Sequence, residues 1–159
     1  MTLSSSWPRT LGLHPNNGSS NLSGVAIYIK IYYNTNKIKT SENEMAKDNL
    51  LLVIATDNKD SILKFPLLYG GVSIPRGYWK RVCVIFWGAS ILTVKKEESI
   101  RIKVQEMQKS GVEFSSCVVC ANEYDALKSL ESIGIVCNHT GELLTAALQN
   151  SEDWAVLTI

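Results

Sequence analysis

The sequence lacks any window of about 20 apolar residues, the length that a membrane-spanning helix requires. Its longest apolar runs, Leu50 to Ala55 and Val82 to Trp87, have the length of buried strands. The sequence also has little net charge, because 16 Lys and Arg against 15 Asp and Glu leave +1. Such a balance gives no electrostatic case for binding nucleic acid or an anionic membrane surface. We therefore expect a globular protein without a membrane span and without a nucleic-acid partner.

Several sequence motifs of enzymes are missing as well. The chain has no Gly-x-Gly-x-x-Gly or Walker-type loop, so a nucleotide site is not indicated. It also has no Gly-x-Ser-x-Gly, the nucleophile elbow of many hydrolases. Its four cysteines follow no charged, apolar, small-residue leader, which argues against a secreted disulfide scaffold. We expect reduced thiols in a cytoplasmic protein and no bound cofactor.

The composition of the chain changes near Met45. Residues 1–44 are rich in Ser and Asn, and prolines and glycine interrupt any periodic pattern. Within them, only Val25 to Tyr33 has the apolar, β-branched character of a strand. We interpret residues 1–44 as a poorly ordered or non-native leader and residues 45–159 as a single α/β domain.

Short apolar runs alternate with amphipathic segments from Asn49 to the end of the chain. The predicted strands are Leu50 to Ala55, Val82 to Trp87, Val112 to Cys117, Ile135 to Cys137 and Trp154 to Ile159. The predicted helices begin near Asp60 and run over Lys96 to Ser110, Asn122 to Ser132 and Gly141 to Asn150. Such alternation is typical of a parallel sheet with helices on both faces. The sequence thus predicts an α/β fold, a three-layer α/β/α sandwich with a five-stranded, mainly parallel sheet.

Two helices carry more detailed expectations. The first should direct Ile62, Leu63, Phe65 and Leu67 inward, end or kink at Pro66, and be broken by Gly70 and Gly71. The third should be capped by Asn122, with Glu123 and Asp125 in its first turn, where negative charge suits the helix dipole.

Cys117 and Cys120 form a Cys-x-x-Cys motif where the predicted third strand gives way to a helix. The carboxyl edge of a parallel sheet is where ligands and reactive groups collect. A helix N-terminus or a neighbouring cation lowers the pKa of a cysteine from about 8.5 toward 7 or below. We therefore identify Cys117 and Cys120 as candidate reactive residues. Asp57, Asn58 and Asn122 are candidates to surround and support them.

These features together resemble the DsrE/DsrF-like family over about Asn49 to Ile159. The resemblance rests on Gly111-Val112 followed by Cys117, on Thr56-Asp57-Asn58 after the first strand, on Trp87-Gly88-Ala89, and on the closing Gly141 helix with its terminal strand. It implies a small three-layer domain that assembles into trimers or hexamers. In the sulfur-relay members, a cysteine at this strand end accepts persulfide sulfur from a donor protein and passes it to an acceptor protein. By position that role falls on Cys117, whereas Cys120 is not part of the general pattern.

Three other functions remain open from the residues. Cys117 and Cys120 suit a dithiol–disulfide couple, in which Cys120 resolves a persulfide or sulfenate on Cys117. Together with Cys137 and His139 they offer three thiolates and one imidazole, a donor set suited to zinc. The third alternative is a non-catalytic oligomeric binding module, in which the thiols only fill space in the apolar core.

A chain shortened to residues 45–159 tests the domain assignment. We expect it to fold, with the same thermal unfolding midpoint and the same oligomeric state as the full chain. Failure of the shortened chain to fold or assemble would show that residues 1–44 are part of the domain.

Overall fold

The computed structural model describes residues 47–159. The strands are β1 (Asn49–Ile54), β2 (Arg81–Phe86), β3 (Glu113–Cys117), β4 (Val136–Asn138) and β5 (Trp154–Thr158). The helices are α1 (Lys59–Lys64), α2 (Pro66–Ser73), α3 (Ser90–Lys96), α4 (Glu98–Lys109), α5 (Val118–Glu123), α6 (Leu127–Glu131) and α7 (Thr140–Gln149).

The five strands form one sheet in the order β4-β3-β2-β1-β5, and every neighbouring pair is parallel. The α/β prediction is confirmed, and the sheet is wholly rather than mainly parallel. The two apolar runs of the sequence become β1 and β2, which pair from Asn49 with Arg81 to Ile54 with Phe86. Continuous apolar sequence suits them because a central parallel strand is covered on both faces.

The two faces of the sheet are covered unequally. Alternate residues of the central strands, such as Leu50, Leu52 and Val84, lie in a large apolar core with residues of α1 to α6. The opposite face has a smaller core in which Leu51 and Ile85 pack against residues of α7. The helices therefore form two layers around the sheet. Helices α1 to α6 cover one face, and α7 covers the other.

The first predicted helix is two helices, and the glycines do not break the second. Pro66 begins α2 because it lacks the N–H group that would continue α1. The helix then continues through Gly70 and Gly71 to Ser73. A Cβ atom on Gly70 would lie 3.0 Å from Leu52 Cδ1, so glycine here permits close packing on the sheet. Phe65, predicted to point inward, is 49% exposed because it stands at the junction of the two helices.

The predicted helix from Lys96 to Ser110 was also placed incorrectly at its start. A separate helix, α3, already begins at Ser90, and the extended backbone of Glu97 divides it from α4. The buried hydroxyl of Ser90 donates to the Ile54 carbonyl oxygen at 2.7 Å and accepts from the Trp87 N–H at 3.0 Å. Ser90 thereby joins the carboxyl ends of β1 and β2 and begins α3 immediately after them.

Within residues 47–159, no helix has both the length and the apolar character to cross a membrane.

Replacement of Leu52 by Ala tests the packing of the larger core. Leu52 is fully buried, so the cavity left by the substitution should lower the free energy of unfolding by about 2–5 kcal/mol in urea titrations. Leu148→Ala is the matched control, because Leu148 is 58% exposed and its loss should change stability by about 0.5 kcal/mol or less. Equal effects of the two substitutions would contradict the assignment of Leu52 to the core.

Candidate functional site

Cys117 is the last residue of β3 and also the residue that precedes α5. Its extended backbone (φ −62°, ψ 113°) places it at the N-cap position of a helix that begins directly at Val118. The prediction that Asn122 caps this helix was therefore wrong, because Asn122 lies inside α5. Asp125 follows the helix with a positive φ of 48° and belongs to the turn before α6. The segment predicted as one helix is two short ones, divided at this turn.

The turn after α5 is held by a lysine from α3. Lys95 Nζ donates to the carbonyl oxygens of Tyr124 at 3.1 Å and Asp125 at 2.7 Å. These carbonyls follow the end of α5, where a cation is favourable to the helix dipole. The contact connects the helix after β2 to the segment that contains both candidate cysteines.

Cys120 lies beside Cys117 and is half-buried against the larger core. Burial raises the pKa of the Cys120 thiol, and a hydrogen bond with Cys117 raises it further. The backbone of Gly88, two residues after the end of β2, lowers the same pKa through a hydrogen bond to the thiol. Cys117 is 8% exposed and Cys120 is half-buried. Neither thiol at this strand end is therefore freely exposed.

Cys117 lines an open concavity of about 570 Å³ at the carboxyl edge of the sheet. We call it the edge concavity, and its walls are Trp87, Cys117, Val119, His139, Thr140, Gly141 and Glu142. The exposed His139 precedes α7, and the hydroxyl oxygen of Thr140 is buried there without a hydrogen-bond partner among residues 47–159. The edge concavity brings a thiol, an imidazole and a helix N-terminus together.

Most of the residues that line the edge concavity were not predicted as site residues from the sequence. Thr140 is the first residue of α7, one position before the predicted start of that helix at Gly141. The Trp87-Gly88-Ala89 strand end was named as a feature of the family resemblance, but no contact of Trp87 was predicted. In the structure its indole lies 3.8 Å from the position of a Cβ on Gly141. No local pattern reports that contact, because it depends on how strands β2 and β4 are ordered in the sheet.

Asp57 and Asn58, two of the residues expected to support the thiols, make their contacts elsewhere. Asn58 caps α1, where its side-chain oxygen accepts the Ser61 N–H at 2.8 Å. Asp57 lines a different hollow with Lys59 and Glu97. Asn122 is exposed on α5. Asp57 and Asn58 follow β1, and β2 separates β1 from the strand of Cys117.

The residues of the zinc alternative are not assembled as a metal site. Within residues 47–159, no group of three or more His, Cys, Asp and Glu side chains is placed to hold a metal ion. Cys137 packs against the larger core, where burial raises its pKa, while His139 faces the edge concavity. Cys137 lies within β4, whereas His139 follows the strand and precedes α7.

A second concavity of about 590 Å³ lies beside the face of the sheet that α7 covers, and we call it the sheet groove. Its polar wall includes Arg81, which donates from Nε and Nη2 to the Glu113 carboxylate at 2.8 and 2.7 Å and stacks over Trp154 at 5.4 Å. Cys83 lies in the same wall, and burial together with the Glu113 charge raises the pKa of its thiol to about 12. A thiol so resistant to ionisation is a poor nucleophile, so we place the candidate chemistry at the edge concavity.

Comparison with known proteins gives a structural neighbour. No protein-family profile and no curated protein matches the chain. A solved structure of BT1422, a conserved protein of unknown function from Bacteroides thetaiotaomicron, is similar at 30% sequence identity and a TM-score of 0.67. The match covers 70% of this chain and 95% of that one. The chain belongs to the same family as BT1422. Since that protein is described as of unknown function, a function must be argued from the site.

The Arg81–Glu113 ion pair should make the free energy of unfolding depend on pH. The Arg81 hydrogen bond holds the pKa of Glu113 below its ordinary value of 4.5. A depressed carboxyl pKa stabilises the fold above the ordinary value and ceases to do so as the pH falls through the folded-state pKa. Glu113→Gln should therefore lower the free energy of unfolding at neutral pH, by less than about 1 kcal/mol because both side chains are about half exposed.

Urea titrations across the acid range measure this effect. The difference between wild type and Glu113→Gln should shrink as the pH falls below 4.5. Glu152→Gln is the control, because Glu152 is exposed and has no ion pair within residues 47–159. A difference that stays constant into strong acid would mean that the ion pair does not stabilise the fold.

Proposed function

We propose that this protein accepts sulfane sulfur on Cys117 as a sulfur-handling or thiol-redox protein of the DsrE-like type. The observation that carries the proposal is the placement of Cys117 at the carboxyl end of β3, in the wall of the edge concavity. The sequence resemblance assigns sulfur acceptance to a cysteine at this strand end. The concavity supplies what a carrier thiol needs, an approach from solvent toward an otherwise buried sulfur.

The proposed step is a thiol exchange. The Cys117 thiolate attacks the outer sulfur of a donor persulfide, the donor S–S bond breaks, and the donor leaves as a thiolate. Cys117 then carries the persulfide, and an acceptor thiolate removes the outer sulfur by the same exchange. No net oxidant or reductant is consumed.

Cys120 allows a second reaction of a persulfide formed on Cys117. Its thiol interacts with that of Cys117, and this interaction raises the pKa of Cys120. Attack by Cys120 on the inner sulfur of a Cys117 persulfide forms a disulfide and releases hydrogen sulfide, which balances atoms and electrons. The raised pKa of Cys120 slows that attack, so the persulfide should outlast the donor reaction and be available for transfer.

The partners follow from the same proposal. They are a sulfur donor protein and a sulfur acceptor protein in the cytoplasm, met by a homo-oligomer that the resemblance makes a trimer or hexamer. All four cysteines are free thiols in the structure, which supports a reducing compartment. Light scattering of the full chain measures the oligomeric state.

Intact-protein mass spectrometry after exposure to a sulfane-sulfur donor tests the function. Wild type should gain one sulfur, Cys117→Ser should gain none, and Cys120→Ser should retain the gain for longer. Cys137→Ser is the matched control, since Cys137 is another half-buried thiol outside the edge concavity, and it should behave as wild type.

Other results of this mass-spectrometry experiment would favour competing functions. A loss of two hydrogens that requires both Cys117 and Cys120 would favour a redox dithiol. The low exposure of Cys117, 8%, favours a second candidate, a non-catalytic oligomeric binding module. Absence of any modification in wild type would support that candidate and contradict sulfur acceptance.

A further inference from the structure

The helix that contains Cys120 has little hydrophobic anchorage of its own. Helix α5 has six residues, no side-chain cap at its N-terminus and a single buried residue, Ala121. Val119, the residue before Cys120, is 54% exposed. Short helices are marginally stable unless tertiary contacts hold them. The position of Cys120 therefore depends on the contacts that the end of α5 makes with the rest of the domain.

The end of α5 is bonded to Lys95 through a chain of backbone groups. The Tyr124 N–H donates to the Cys120 carbonyl oxygen at 3.1 Å. The carbonyl oxygens of Tyr124 and of the next residue, Asp125, accept in turn from Lys95 Nζ. A lysine that binds the carbonyls at a helix C-terminus both satisfies them and suits the helix dipole. A single residue, Tyr124, thus connects Cys120 to the lysine.

Lys95 extends from a helix that two side-chain hydrogen bonds join to β1 and the loop after it. The Ser90 hydroxyl in α3 donates to the Ile54 carbonyl oxygen at 2.7 Å. The Thr93 hydroxyl in the same helix donates to the Asp57 carbonyl oxygen at 2.9 Å. Because α3 is fixed in this way, Lys95 is a fixed donor against which the turn after α5 can be held.

The two carbonyl hydrogen bonds, more than the ion pair, hold this turn. Asp125 has a φ of 48°, a left-handed conformation that is uncommon for residues other than glycine. Its carboxylate lies 3.9 Å from Lys95 Nζ and is fully exposed, so the ion pair contributes little. The Lys95 side chain is only 34% exposed, and its bonds to the carbonyls are 3.1 and 2.7 Å long.

We propose that Lys95 is a positioning residue for the thiol site. By its bonds to the carbonyl oxygens of Tyr124 and Asp125 it keeps α5 folded and keeps Cys117 and Cys120 at their low exposure. Lys95 thereby controls how readily small reagents reach the two thiols. On the function proposed above, on which this consequence rests, the same contact limits the access of small thiols to a Cys117 persulfide.

Site-resolved alkylation with iodoacetamide tests this role without a sulfur donor. Lys95→Met removes the donor, so α5 should open more often. The alkylation rates of Cys117 and Cys120 should then rise by about fivefold, the equilibrium factor of one ordinary hydrogen bond. The rates at Cys83 and Cys137 should not change, because these residues lie within β2 and β4.

Three further variants separate positioning from general stability and charge. Lys95→Arg keeps a cation with N–H donors for both carbonyls and should return the rates at Cys117 and Cys120 most of the way to wild type. Lys96→Met is the matched control, because Lys96 is exposed and has no ion pair within residues 47–159, and it should not change the rates. Asp125→Asn removes the carboxylate, keeps the carbonyl and tolerates a positive φ, so it should also behave as wild type.

Two results would overturn the proposal. One is Lys95→Met protein in which Cys117 and Cys120 are alkylated at the wild-type rates or not at all. The other is an equal rise at all four cysteines, which would make Lys95 a contributor to global stability alone. Since alkylation involves no sulfur transfer, a failure here is distinguishable from a failure of the proposed function, in which the wild type takes up no sulfur.

Discussion

Parallel pairing of all five strands is the constraint on which the rest of the structure depends. It places the carboxyl ends of β2, β3 and β4 at one edge, and with them the residues that follow each strand. Trp87 follows β2, Cys117 ends β3, and His139 follows β4. These residues are far apart in the chain and meet in one concavity only because their strands are neighbours in this order.

The four cysteines show how the fold distinguishes residues of one type. Cys83 lies on the α7 face beside Glu113, where burial and negative charge hold its thiol protonated. Cys137 and Cys120 pack at the edge of the larger core, and burial raises the pKa of each. Cys117 alone among them lines the edge concavity. Position in the sheet, more than local sequence, therefore selects the candidate reactive thiol.

The fold class and the position of Cys117 could be predicted because both follow from short-range patterns. Apolar runs such as Leu50 to Ile54 identify buried strands, and their alternation with amphipathic segments indicates a parallel sheet. Helix boundaries were less predictable, because tertiary contacts decide them. Gly70 stays helical since it packs against Leu52, and α5 begins at Val118 because β3 ends there.

The walls of the candidate site could not be derived from the sequence. Asp57 and Asn58 were expected near Cys117 because all strand ends share an edge, but one intervening strand is enough to separate them. Cys137 and His139 were considered together because they are close in sequence, yet only His139 faces the concavity. The order of the strands decides the first question and the point where β4 ends decides the second, and neither follows from the distance between residues along the chain.

Site-resolved mass spectrometry of the sulfur-loaded wild-type chain, in the folded state and in urea, tests directly whether the fold selects Cys117. We expect the folded protein to carry added sulfur on Cys117 alone, whereas the unfolded chain should carry it on all four cysteines. Sulfur distributed in the folded protein as it is in urea, or found on Cys137 or Cys83, would show that the fold does not select Cys117.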